Sequence, residues 1–171
     1  MHRLFHISED PHIKVFVPRP SPSPFAGIDG DIVFAISDRL LHNYLLPRDC
    51  PRVCYYAGED SSAEDIDRLL GPTEASYVMA LESRWRPIIE ETTIYCYELP
   101  PESFSLLDAC AGYYISYERV VPVSMKPVSD LLTELAGRRV ELRFMDRLQP
   151  LADMVRVSTL AFSLIRMRNA Q

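Results

Sequence analysis

A chain of 171 residues fits one domain, and its 47% hydrophobic and 25% charged residues are the composition of an ordinary globular protein that buries a core without staples. The formal net charge of −6 argues against nonspecific duplex binding, which needs a basic face to displace counterions. Fourteen prolines against six glycines predict stiffened loops.

The opening Met1-His2-Arg3-Leu4-Phe5-His6 lacks the apolar run of a signal peptide, and no later stretch reaches spanning length. A cytoplasmic location without membrane attachment is the expectation, with Cys50, Cys54, Cys96 and Cys110 as reduced thiols. Three residues separate Cys50 from Cys54 and no second close pair exists, so no structural metal is expected.

Leu4 to Ser8 reads as a short strand closed by Glu9-Asp10-Pro11, and His12 to Val17 as a second. Pro18 to Pro24 carries four prolines and predicts an extended connector. Asp31 to Ile36 is a buried-type strand, after which Ser37 or Asp38 caps a helix to about Leu46, where Pro47 stops it. Arg52 to Tyr56 is a strand; Ser61 or Ser62 caps a helix that Gly71-Pro72 ends. Tyr77 to Leu81 reads as a strand, with a helix continuing to Trp85 in competition, and Ile88-Ile89 as a short helix. Thr93 to Leu99 alternates cleanly, and Gly112 to Tyr117 and Val120 to Val123 are further strands. Val128 to Leu135 predicts an amphipathic helix, Val140 to Phe144 a strand, Pro150 to Val157 a helix, and Ala161 to Met167 a closing strand. Short strands alternating irregularly with short helices give an α+β class: one domain over 1–171, a mixed sheet flanked by short helices.

Sixteen of the eighteen basic residues are arginine, Lys14 and Lys126 being the others. Guanidinium is a planar fork that grips carboxylate or phosphate through paired hydrogen bonds. Arg48 and Arg52 frame the proline-locked segment Pro47-Arg48-Asp49-Cys50-Pro51-Arg52, which reads as a preformed anion grip. His42, at a predicted helix end, and Tyr44 extend it. The competing reading is that these arginines pair with Asp49 and nearby acids and brace a loop. Cys50 between two arginines is either a reactive thiolate or a small buried thiol. His6 and Ser8 share a strand face and can hold a ribose or an amide, or else pack as an ordinary half-buried pair. Glu82, Glu98 and Glu141 are the carboxylates on or beside strands, each able to support a cationic centre or to pair with an arginine. Arg166 and Arg168 share a face if the chain ends in a strand, and either clamp acids or enlarge the anion site.

Leu4 to Pro11, Pro47 to Arg52 and the ending Ile165-Arg166-Met167-Arg168-Asn169-Ala170 look like those of an uncharacterised family of small bacterial proteins, a resemblance that spans nearly the whole chain. More distantly, the opening strand is similar to the first strand of the ADP-ribosyltransferase-like superfamily. That resemblance covers about the first third of the chain and implies NAD as cofactor, with His6 on the ribose, Tyr44 as the aromatic of the second unit, and Glu82 or Glu141 facing the developing positive charge. The expectation is therefore a nucleotide or other anionic small molecule held by His6, Ser8, His42, Tyr44, Arg48 and Arg52. The alternative is a non-catalytic interaction or structural protein whose arginines are internal braces.

Overall fold

The computed structural model describes residues 3–21 and 28–171, so His2 and the prolines at 22 and 24 lie outside the described residues. In chain order the elements are β1 (Leu4–Ser8), β2 (Val33–Ser37), β3 (Arg52–Tyr56), α1 (Ala63–Asp65), β4 (Tyr77–Glu82), α2 (Arg86–Glu91), β5 (Ile94–Leu99), β6 (Ser105–Asp108), β7 (Tyr113–Ser116), β8 (Ser124–Val128), α3 (Leu131–Gly137), β9 (Val140–Met145), α4 (Gln149–Arg156) and β10 (Ala161–Ile165). The class is α+β, as the alternation of short elements implies. The strands sort into two sheets, and the chain divides into two compact units, Met1–Leu41 with Ile94–Val128 and His42–Thr93 with Ser129–Gln171.

The first unit holds a six-stranded sheet of order β6-β7-β2-β1-β5-β8, antiparallel at every pairing. Leu4, Val33, Ala35, Tyr97 and Leu99 cover one face and pack with Phe16 and Val120. Period-two alternation puts them there: Leu4 lies opposite both Ser37 and Leu99, so side chains two apart share that face. Tyr97 satisfies its hydroxyl by donating to Asp10 O at 2.7 Å and accepting from the Ile13 amide at 3.2 Å, which anchors the connection after β1.

The second unit holds a four-stranded sheet of order β10-β3-β4-β9, mixed because β4 and β9 run parallel. Val53, Tyr55, Val78 and Ala80 face α4, whose Leu151, Ala152 and Val155 are buried while Asp153 and Arg156 pair on the outer side. Ser62 caps α1 by accepting from the Asp65 amide, and the chain continues as a π-helical turn, Ile66–Leu70, that ends at Gly71 with φ 66°. Arg143 closes that turn. Its guanidinium donates to Leu69 O, Leu70 O, the Tyr55 hydroxyl and Glu141, satisfying carbonyls a helix end leaves orphaned.

Several expected elements form differently. His12 to Val17 is no strand; Phe16 alone bridges to Val120. The segment after β2 is a 3₁₀ helix, Asp38–Tyr44, because Leu40, Leu41, His42 and Asn43 are all buried and leave no solvated stripe for an amphipathic α-helix. The strand expected at Val120 to Val123 is displaced to β8, with Val121 and Val123 exposed, and α3 starts at Leu131, capped by Asp130. The closing strand stops at Ile165, where Arg166 turns left-handed into a 3₁₀ turn, Met167–Asn169. Among the described residues no helix is long and apolar enough to cross a membrane.

Candidate functional site

The Pro47 to Arg52 segment is a tight turn, closed by the Cys50 amide donating to Pro47 O at 3.1 Å. It delivers Arg52 to the first position of β3 with only 2% of the residue exposed. There Nη1 donates to Pro47 O at 3.2 Å, and the guanidinium carbon lies 5.9 Å from the Tyr44 ring centroid. Nε is buried with no acceptor, and no described carboxylate lies within ion-pair distance. The side-on edge of a guanidinium, Nε with Nη2, is the one that grips an oxyanion bidentately. Arg3 uses that same edge on Glu98, at 2.8 and 3.0 Å. In Arg52 the edge has no protein partner among the described residues.

Arg166, only partly buried, also makes no ion pair with a described carboxylate, and its charge lies close enough to Arg52 to act on it. Burial, and then the Arg166 cation, pull the Arg52 pKa below its ordinary value, while the neighbouring Cys54, Cys50 and Tyr44 groups oppose that. Left-handed backbone at Arg166, φ 55°, is a conformation that a bulky side chain adopts at a cost. By contrast Arg3, Arg68, Arg84, Arg86, Arg138, Arg143 and Arg156 all pair with carboxylates. Arg19, Arg119, Arg139, Arg147 and Arg168 also make no ion pair with a described carboxylate, so what sets Arg52 apart is its burial.

A strap fixes the loop from the C-terminal side. Asn169 Nδ2 donates to Asp49 O at 2.8 Å, and Arg84 Nη2 donates to Asn169 O at 2.7 Å. Arg84 also holds Glu82 Oε2 at 2.8 Å, while the Gln171 amide donates to Oε1 at 2.7 Å. Glu82 is fully buried with both oxygens engaged by the protein's own donors. Glu141 accepts from Arg143 at 2.7 Å, and its pKa lies below the ordinary carboxylate value because the Thr73 hydroxyl, and then Arg143, bond its charged form. Val78 on β4 faces Glu141 on β9, so Glu82, four residues on, stands about 13 Å further along the strand at ~3.3 Å per residue. The two glutamates do not share one centre.

Tyr44 and Arg52 are thus brought together, with Arg166 added. Sequence reasoning left Arg166 between a clamp and the anion site, and its spacing from Arg168 carried no sign of the left-handed turn at that residue. Arg48 is exposed on the same loop. His42 is buried with its ring 4.1 Å from that of Tyr77, as an aromatic packing pair. Cys50 and Cys54 are buried, and desolvation pushes their thiols up to about 11 and about 12, so both are protonated at neutral pH. His6 and Ser8 belong to the first unit's sheet. His6 Nδ1 lies 2.9 Å from Phe34 O and its ring packs 4.7 Å from Phe16, while Ser8 Oγ accepts from the Asp10 amide in the turn after β1.

A model of a family of unknown function, DUF6886, matches residues 5–170, and the chain belongs to that family. No curated protein and no solved structure matches it.

Proposed function

We propose that this member of the DUF6886 family binds a small oxyanion, a carboxylate or phosphate group, on the side-on edge of Arg52 with Arg166 as the second cation. One observation carries the reading: a buried guanidinium whose Nε has no acceptor and whose charge no described carboxylate neutralises. Leaving an ion unpaired in the interior costs several kcal/mol, and a bound anion removes that penalty. Tyr44 supplies an aromatic face beside the guanidinium, and the Arg84–Asn169–Asp49 strap holds the loop in the binding shape. Preorganisation of this kind lowers the entropy lost on binding.

A nucleotide such as NAD or ADP-ribose is one carrier of the required phosphate. Transferase chemistry on it is less well supported, because Glu82 and Glu141 are both committed to arginines and His6 packs under Phe16. The competing reading makes Arg52 a brace for Pro47 and favours no ligand.

Thermal denaturation in a poorly coordinating buffer, titrated with inorganic phosphate, acetate, citrate, ADP-ribose and NAD, separates these readings. Saturable stabilisation by at least one of them, absent in Arg52→Met, supports anion binding. Shifts that are equal in the wild type and Arg52→Met, or no shift with any of the five, reject it. Stabilisation by ADP-ribose or NAD but not by phosphate or acetate marks the nucleotide as the carrier.

A further inference from the structure

Arg52 lies too deep to meet an anion without a movement of the chain around it, since 2% of the residue is exposed and its Nε is sealed from solvent. Residues 166–171 are built to make that movement. Ile165 lies opposite Arg52 in the β3–β10 ladder, so the chain leaving β10 starts beside Arg52. It then crosses the turn that ends in Arg52, where Asn169 Nδ2 donates to Asp49 O at 2.8 Å. β10 is the outer strand of its sheet, and no described strand lies beyond it.

The fastenings of this segment are local and partly exposed. Asn169 holds Asp49 O, Arg84 Nη2 holds Asn169 O at 2.7 Å, and the Gln171 amide holds Glu82 Oε1 at 2.7 Å. The first two bonds lie at the surface. Segments held by solvent-exposed hydrogen bonds open locally at less than the cost of global unfolding. Arg166, at the root of the segment, has φ 55°, a strain that opening relieves. Met167 and Ala170, partly buried against the core, seat the segment when it returns.

Charge couples this movement to the ligand. In the empty site the closed segment sets the Arg166 cation against that of Arg52. An oxyanion between the two turns repulsion into attraction, so it favours the closed form. Differential affinity of this kind is what allows a ligand to shift a conformational equilibrium.

We infer that residues 166–171 form a strap that opens at Arg166 to admit the oxyanion to Arg52 and closes over it, an inference that rests on the anion reading above. Cys50 reports the opening. It is buried in the turn that Asn169 fastens, and the charges of Arg52, Glu82 and Arg84 all act on its thiol, which places it among the strap's anchors. Cys54 is the control: it is buried in β3, paired on both sides by β4 and β10, and is reached only when the sheet opens.

The test is alkylation of each thiol by iodoacetamide at pH 8, followed by mass spectrometry, with and without inorganic phosphate. Losing the Asn169 hydrogen bond shifts the opening equilibrium about fivefold, so Asn169→Ala labels Cys50 about fivefold faster than the wild type and Cys54 at the wild-type rate. Phosphate at about ten times its dissociation constant slows Cys50 labelling about tenfold in the wild type and leaves it unchanged in Arg52→Met. Acceleration of Cys50 and Cys54 together in Asn169→Ala, or of neither, overturns the strap. Phosphate that stabilises the protein in the thermal titration without slowing Cys50 labelling overturns the strap and leaves the Arg52 site standing. Absence of stabilisation by any of the anions overturns both.

Discussion

Replacing Arg52 with Met has a sign that depends on the buffer. The substitution removes the charged hydrogen bond to Pro47 O, worth about 1.5–3 kcal/mol, and the contact with the Tyr44 ring, worth ~0.5–2 kcal/mol. It also removes an unpaired buried cation, whose desolvation penalty is several kcal/mol, and the unmet need of Nε, about 1–3 kcal/mol. These opposing terms are of the same size, so without a binding anion Arg52→Met unfolds at the wild-type urea midpoint or above it. Phosphate at a hundred times its dissociation constant then adds about 2.7 kcal/mol to the wild type and nothing to the variant, which reverses their order. Urea denaturation followed by circular dichroism, with and without phosphate, reads both limbs. A variant that loses about 3 kcal/mol or more in anion-free buffer, with the same loss in phosphate, refutes the reasoning and makes Arg52 a brace.

Arg143→Met strands Leu69 O, Leu70 O and the Tyr55 hydroxyl and leaves Glu141 without its cation, so it costs about 3–5 kcal/mol in urea denaturation; a loss below 1 kcal/mol contradicts the network. Asp65 has its pKa lowered to about 2 by the Thr159 amide, the Thr159 hydroxyl and Arg68. Because its folded pKa lies below the ordinary 3.8, the unfolded chain binds more protons between the two values. The stabilisation is therefore present above pH 4 and falls away as pH drops toward 2, and Asp65→Asn removes that part of the pH dependence of the urea midpoint. Cys50 and Cys54 resist a maleimide at pH 8 while exposed Cys110 labels, and both react once urea unfolds the chain; rapid labelling of Cys50 in the native state contradicts a buried, protonated thiol.

Much of the fold is legible in local pattern. The strand Leu4–Ser8 and the strand Arg52–Tyr56 form at the bounds their apolar and aromatic runs define, and of the two serines expected to cap α1 it is Ser62 that does so. What was not legible depends on partners distant in sequence. The strands β6 and β8 sit at the two edges of the first sheet, where Ser105, Leu106, Met125 and Lys126 are exposed and no alternation survives; Pro127 in β8 reads as a breaker, yet edge strands tolerate it. The division into two sheets follows from residues 94–128 returning to pair with β1 and β2, a non-local choice that periodicity does not encode.

The candidate site shows the same split. Pro47 to Arg52 stands out because arginines and prolines punctuate it, and Arg52 does lack an internal counter-ion among the described residues. Pairing of Glu82 with Arg84, and of Glu141 with Arg143, is a local two-residue spacing that was open to view as bracing. The role of Arg166 was hidden, since it rests on one left-handed residue at the end of β10.

The most direct test of the account is the arginine Nε–H spectrum of the ¹⁵N-labelled protein, with the Arg52 signal assigned by its loss in Arg52→Lys. Titration with phosphate or acetate is predicted to move that signal saturably, together with that of Arg166 and not those of Arg3 or Arg143, whose edges are already occupied. An Arg52 signal that stays in place throughout both titrations contradicts the claim that this guanidinium awaits an anion.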